Sequence, residues 1–352
     1  MIHPQQSSPF AGAGVPQSAP SRPRRHALGH LLAALALCCV GGLAHSQTDD
    51  DSKYPQKPIK FIVPLAPGGV ADVMSRMIAD HLQTKWGQPV AVENRPGAGS
   101  SIRMSAVAKA KPDGYTIGMG NIAANAIFPA LQPDKVTYHP INDFAPISLV
   151  GITPSLLVVN TTKIAARTIP ELIAYLKANP GKVSFGSSGT GTSLHIGMEL
   201  FMIKTGTSMV HVPYKGSAPM LTDLISGQID MALDALSTSG PHIESGKLRA
   251  LGVTTAERAF FAPTIPAIKE FVPGFEVKAW HGVMAPAGTP EKIVTKLSEE
   301  IQAYLRLPAT EEKLKDRGVI RIGSNPKDFR TLIVDDIELY KGVIKQAGIK
   351  SD

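Results

Sequence analysis

Residues 59–86 read IKFIVPLAPGGVADVMSRMIADHLQTKW, and the change of period inside this stretch decides the fold. IKFIVPL (59–65) is a short apolar run, the pattern of a buried strand. After the glycine pair, Val73, Met74, Met77, Ile78 and Leu82 recur at three- and four-residue spacing, which predicts a helix with one apolar face. Gly87 ends it. The strand PVAVEN (89–94) then enters RPGAGSS (95–101), and a second helix is expected from about Ile102 to Lys109. After the turn PDG (112–114), the strand YTIGMGN (115–121) closes the unit.

The same order returns from Val183. VSFGSS enters the loop GTGTS, and LHIGMELFMIKT (194–205) follows with Leu194, Met198, Phe201 and Met202 on one face, ended by Gly206. The strand SMVHVPY enters KGSAP, a helix covers about Met220 to Ile225, and QIDMALDA (228–235) closes. Strands that alternate with helices argue for parallel sheets covered by helices, and two such units argue for two similar α/β lobes. Ligands of open parallel sheets sit outside the carboxyl ends of the strands, where both Gly-rich loops lie.

Outside the repeats the pattern is less regular. Pro129 to Pro154 reads as a long, turn-rich connection. Thr168 is a natural N-cap for a helix to Ala178, with Glu171 three residues on. Val277 to Ala285 is strand-like, APAGTPEKIVTKLSEEIQAYL opens a long amphipathic helix, and a last helix runs from Asp328 to Ile344. These C-terminal helices are expected to return to the first lobe.

The first 46 residues read as a cleaved signal peptide: Arg22, Arg24 and Arg25, the apolar run Leu28–Leu43, and the small-x-small site Ala44-His45-Ser46. Cys38 and Cys39 fall in this leader and follow Leu37, where a lipobox wants a small residue. The mature chain is therefore free of cysteine, with no thiol nucleophile and no Cys-based metal site. From Gln47 it is about 306 residues long, enough for two lobes. Loss of the leader's three basic residues lowers the net charge from +7 to +4, and the remaining Lys and Arg are scattered. Nucleic-acid binding wants a dense basic face, and a bilayer span wants a longer apolar run than any after the leader.

The two loops carry the chemistry. A helix N-terminus offers unpaired N–H groups and partial positive charge to an anion, and glycine lets the backbone come close. Pro67, Gly68 and Gly69 make one such surface. Ser187, Gly189, Thr190, Gly191, Thr192 and Ser193 make the other, with added hydroxyls. Neither contains Lys or Arg, so neutral donors would converge on a carboxylate. Asp72 either compensates the helix N-terminus or orients the loop and accepts from a ligand. His195, in the first turn of the second helix, is either structural or a ligand contact. Asn121 and Asp234 end the third strands and should face the cleft. Trp86 and Trp280 read as packing residues, with Trp280-His281-Gly282 a candidate border of the cleft. GSSGTGTS lacks the GK[ST] of a P-loop, the histidines show no HExxH, and no G-x-S-x-G elbow is present. Ser187, Ser188 or Ser193 beside His195 is the one nucleophile arrangement on offer, and nothing completes a triad. No cofactor, metal site or catalytic residue is assigned.

Seven segments in order resemble the Bug family, the periplasmic receptors of tripartite tricarboxylate transporters. They are YPQKPIKFIVPLAPGGVADVMSR, VENRPGAG, AKPDGYTIGMGN, SFGSSGTGTSLHIGMELF, HVPYKGSAPMLTDLISGQIDMALD, GKLRALGVTT and GVMAPAGTP. The resemblance covers essentially the whole mature chain. It implies a type II periplasmic-binding fold: two α/β lobes, a cleft between them, and crossing strands near Ile147–Ile152 and Val277–Val283. The lobes would run 54–150 and 151–277, with 278–352 returning to the first. It implies that Pro67–Asp72 and Ser187–Ser193 pinch a ligand carboxylate of an organic acid, amino acid or related compound, with waters bridging to the first loop. A monomer in the periplasm of a Gram-negative bacterium, handing its ligand to integral membrane permease subunits, is the role implied. A sensor feeding a signalling kinase is the alternative, and a periplasmic hydrolase a remote one. Where the family often continues NRPGAG with Gly-Asn-Ile-Gly, this chain has Ser100-Ser101-Ile102-Arg103, which puts transfer of ligand identity in doubt.

Overall fold

Strand β1 (Ile59–Val63) lies between two parallel neighbours, β2 (Val90–Asn94) and β3 (Thr116–Asn121). Helix α1 (Val70–Trp86) connects β1 to β2, and α2 (Ser101–Ala108) connects β2 to β3. The structure, a computed structural model, describes residues 53–64, 67–94 and 101–349, with the backbone alone at 101–103. The signal-peptide reading over 1–46 and the loop 95–100 lie outside the described residues. Apart from Lys60, which reaches out to Glu93, β1 is apolar because both faces are covered. Ile59, Phe61 and Val63 pack in one cluster with Met74, Ile78 and Leu82 of α1, while Ile62 joins Met104 and Val107 of α2 in another. Gly87 ends α1 in the left-handed conformation at φ 68°, as its sequence position predicts. Val73 and Met77 stay only partly buried, because the apolar stripe centres on Ala71, Met74, Ile78 and Leu82.

The second unit repeats this order with β6 (Ser184–Ser187), α5 (Ser193–Thr205), β7 (Val210–Pro213), α6 (Ser217–Ser226) and β8 (Met231–Asp234). In each sheet the unit's first strand sits between its second and third. The expected all-parallel sheets are not what forms. In the first sheet β10 (Ala279–Pro286) runs antiparallel to both β3 and β4 (Phe144–Thr153), and a short β11 (Ile320–Arg321) ends the edge. In the second, β5 (Leu156–Asn160) runs antiparallel to β8 and β9 (Leu248–Val253). These added strands are the connections between lobes: the chain leaves β4 at Thr153 and, after two intervening residues, enters β5 at Leu156. It returns through Val277, whose N–H bonds Thr254 O at 2.9 Å, into β10. The fold is therefore two α/β lobes joined by crossing strands. The turn-rich reading of 129–154 is corrected by β4, ten residues long, and by a helical stretch from Ala123 through α3 (Phe128–Leu131).

Helix α4 (Ile169–Ala178) begins where Thr168 predicts, with Glu171 N donating to Thr168 Oγ1 at 3.3 Å. The remaining helices are α7 (Leu236–Glu244), α8 (Glu291–Leu305), α9 (Pro308–Lys315) and α10 (Pro326–Ala347). α8 packs on α1 and β4. α10 packs on β4 and also on α5 of the second lobe, so it returns to both lobes and not to the first alone. That contact explains α5. Leu194 and Met202, expected on its apolar face, are partly buried, whereas His195, Ile196, Gly197 and Leu200 are buried, because the helix is covered on opposite sides.

Trp280 on the crossing strand is fully buried and donates its indole N–H to Asp336 Oδ2 of α10 at 2.7 Å. Burial pushes the Asp336 carboxyl up to about 6, against smaller lowering by Trp280 and Lys278. A raised carboxyl pKa favours the protonated folded state, so this group's contribution to stability is full below about pH 4 and is lost as pH rises through about 6. Asp336→Asn keeps an acceptor for Trp280 without the charge. It is expected to raise stability at pH 8 by on the order of 2–3 kcal/mol, with the gain vanishing near pH 4. Thermal melts of both proteins across that range check the sign.

Candidate functional site

The N-termini of α1 and α5 come from different lobes and border one space. Val70 and Ala71 of α1, Ser193 of α5, Asn121 and Ile122 at the end of β3, Thr153 of β4 and Ala279–His281 of β10 line a cavity of about 290 Å³. A second cavity of about 430 Å³ meets it at Val70 and Thr153 and extends past Gly68, Gly69, Ala235–Ser237, Phe261 and the turn Lys315–Gly318. Among the described residues, the amides of Val70, Ala71, Ser193 and Leu194 have no acceptor, as expected for the first residues of a helix. Arg317 is an exposed cation at the wider end.

Much of the rest of each loop is bonded to itself. Gly68, at φ +83°, makes the turn that glycine permits, and its N–H donates to Asp72 Oδ2 at 2.9 Å. Arg76 Nε lies 3.1 Å from the same oxygen, and its Nη2 donates to Asn94 Oδ1 at 2.8 Å. Burial pushes the Asp72 carboxyl up, but the bonds from Arg76 and Gly68 outweigh it and hold the group below its usual range. Asp72 is 3 % exposed and faces its own loop, so the loop-orienting role fits its contacts.

In the second lobe Gly189 N donates to Ser187 Oγ at 3.2 Å and Gly191 N to His195 Nδ1 at 3.1 Å. The Thr192 hydroxyl donates to Gly189 O at 2.8 Å and accepts from His195 N at 3.3 Å, capping α5. Gly191, at φ +77°, reaches the first lobe: a Cβ there would sit 2.5 Å from Leu131 of α3. Of the residues singled out from sequence, Asn121 and Ser193 line the smaller cavity and Gly68 and Gly69 the larger. Pro67, Asp72, Ser187, Gly189, Thr190, Gly191, Thr192, His195 and Asp234 line neither. Asp234, 1 % exposed, accepts from Thr238 Oγ1 at 2.6 Å beside the Ala235 wall. Val70 and Ala71 fall inside the Pro67–Asp72 loop that the resemblance implies, whereas Thr153 and Lys315–Gly318 border the cleft without a sequence signal, since lone strand-end and turn residues carry no motif. Arg103 and the Ser100 departure lie where side chains are not described.

Ser187 has a histidine partner, but it is His211, not His195: Oγ to Nε2 is 2.7 Å. His211 stacks on His195 with ring centroids 3.8 Å apart. Burial first, and His195 second, hold His211 down at about 4, so it is neutral. The pair is no hydrolase centre. Ser187 is fully buried and also bonds Gly189, and among the described residues no carboxylate orients His211. Its role is to brace the loop ahead of α5. Among the described residues no group of three His, Cys, Asp or Glu gathers to hold a metal, and no helix is long and apolar enough to cross a membrane.

Residues 74–349 match the family model described as the tripartite tricarboxylate transporter family receptor. Protein BugT of Bordetella pertussis is 37 % identical over 323 residues, covering 91 % of this chain and 98 % of that protein. An R. palustris protein solved with adipate is 36 % identical with a TM-score of 0.72, covering 84 % of this chain and 99 % of its own. MatC from Rhodopseudomonas palustris, solved with bound malate, is 30 % identical with a TM-score of 0.67 and covers 83 % of this chain and 100 % of its own.

Proposed function

Because this chain belongs to the tripartite tricarboxylate transporter receptor family, a family of binding proteins and not of enzymes, we propose that it captures a small carboxylate in the cleft between its lobes. The observation that carries the reading is the single cavity of about 290 Å³ bordered by the first residues of α1 and α5. The helix-terminal residues Val70, Ala71 and Ser193 border it, with the partial positive charge of two helix ends behind them. At ~1.5–3 kcal/mol for each charge-assisted bond, three supply roughly 4.5–9 kcal/mol, the scale of micromolar affinity before ordering costs are subtracted.

The proposal extends to the setting. The leader would export the chain to the periplasm, and the monomeric mature protein would deliver its ligand to integral membrane permease subunits. Ligand that touches both helix ends binds a closed arrangement more tightly than an open one, and so shifts the population toward closure. The relatives solved with adipate and with malate make dicarboxylates the first compounds to try.

The experiment is calorimetric titration of the mature chain, unfolded and refolded to remove carried-over ligand, with a panel of mono-, di- and tricarboxylates. Saturable heat with at least one member is expected. A flat response across the panel contradicts the reading.

A further inference from the structure

We propose that His281 and Thr153 set the specificity of this cleft by exchanging hydrogen bonds with a hydroxyl on the ligand, which makes the preferred ligand a small hydroxycarboxylate. The inference rests on the carboxylate-receptor reading above and narrows it.

The argument starts from strand register. His281 of β10 lies opposite Asn121 of β3, and Ala279, two residues back on the same face, lies opposite Thr153 of β4. Side chains two apart on a strand point the same way, so Asn121, His281 and Thr153 share one rim of the sheet. All three line the cavity that Val70, Ala71 and Ser193 border. His281 Nδ1 and Thr153 Oγ1 are buried and have no hydrogen-bond partner. Native folds leave few such atoms, and each asks for an explanation. Asn121 has one: its Oδ1 accepts from Ala124 N at 2.9 Å and starts the helical stretch. His281 and Thr153 have no such structural task among the described residues.

The chemistry selects the ligand group. Among the described residues no Lys or Arg lines the smaller cavity, so a second full negative charge at the His281 end would meet no counter-ion from them. Burial holds the His281 imidazole down at about 4, so the ring is neutral and offers one N–H donor and one acceptor. Thr153 offers an O–H that both donates and accepts. A ligand hydroxyl also does both, and satisfies the pair in either direction. A methylene in its place leaves both polar atoms unpaired, which is how a site rejects a deoxy analogue.

The test uses matched pairs that differ by one hydroxyl, malate against succinate and lactate against propionate, titrated into the refolded mature protein. The hydroxylated member of at least one pair is expected to bind about tenfold tighter or more. His281→Leu and Thr153→Val should each reduce that ratio to about threefold or less, by weakening the hydroxylated member and strengthening the deoxy one. Thr153→Val is nearly isosteric and keeps the assignment testable where His281→Leu disturbs the sheet. A ratio unchanged in both variants, or a wild-type protein that binds the deoxy member as well, overturns the assignment. Binding of deoxy acids alone would overturn it while leaving the receptor reading standing. Absence of heat with every carboxylate would instead end the receptor reading itself.

Discussion

Ser193→Asp is expected to abolish carboxylate binding while leaving the fold as stable as before or slightly firmer. Ser193 is the first residue of α5 and lines the cavity of about 290 Å³. An aspartate there would put a fixed negative charge where the ligand's charge sits. At about 5 Å and an effective dielectric constant of about 20, two like charges repel by about 3 kcal/mol, or roughly 100-fold in affinity. The new side chain would also take the N–H groups that the ligand needs. The same charge suits the end of a helix dipole, which adds roughly 0.3–1 kcal/mol of stability. α5 has no acidic residue in its first turn, so nothing there already fills that role. Calorimetry and thermal melts on the one variant read the two effects, which should have opposite signs. Binding kept within a few-fold would place the anion elsewhere.

Gly282→Ala should cost about 3 kcal/mol of stability, at the upper end of what overpacking a core usually does. Gly282 sits on crossing strand β10, and a Cβ there would lie 2.2 Å from Cζ and 2.5 Å from Cε1 of Phe329. Phe329 is fully buried in edge contact with Trp280, with ring centroids 5.3 Å apart, so the ring has nowhere to retreat. The strand must shift, and Trp280 and His281 at the cleft shift with it. Urea unfolding is expected to show a lower midpoint at unchanged slope. Adding Phe329→Leu should recover part of the loss, since the two changes share one contact. An unmoved midpoint would mean the ring yields easily, and the crossing strand is not held as described.

The fold was legible where local chemistry and tertiary structure agree. The αL glycines Gly87 and Gly206, the Thr168 cap and both β-α-β-α-β units stand where their residues predict. The crossing strand β4 was hidden from local pattern, because APISLVGIT carries proline and glycine and lacks alternation, being buried along nearly its whole length; only the family resemblance placed a crossing strand near Ile147–Ile152. The antiparallel pairing of β10 with β3 and β4 is a property of the chain's return path, and no local pattern encodes it. At the site, the strand-to-helix loops were legible as glycine clusters. Which of their amides stay open was not, because Asp72, Ser187 and His195 take Gly68, Gly189 and Gly191 through bonds that only the folded geometry sets. His211, the actual partner of Ser187, lies on the neighbouring strand β7, 24 residues on. The register of β6 and β7 brings it there.

A crystal structure of the mature chain, grown with whichever carboxylate binds in calorimetry, tests the central claim most directly. The carboxylate is predicted within hydrogen-bond distance of the Val70–Ala71 amides, directly or through one water, and of the Ser193–Leu194 amides on the other side. A ligand bound with both helix ends turned away from it, for instance held only between Phe261 and Arg317 in the wider cavity, would contradict the account.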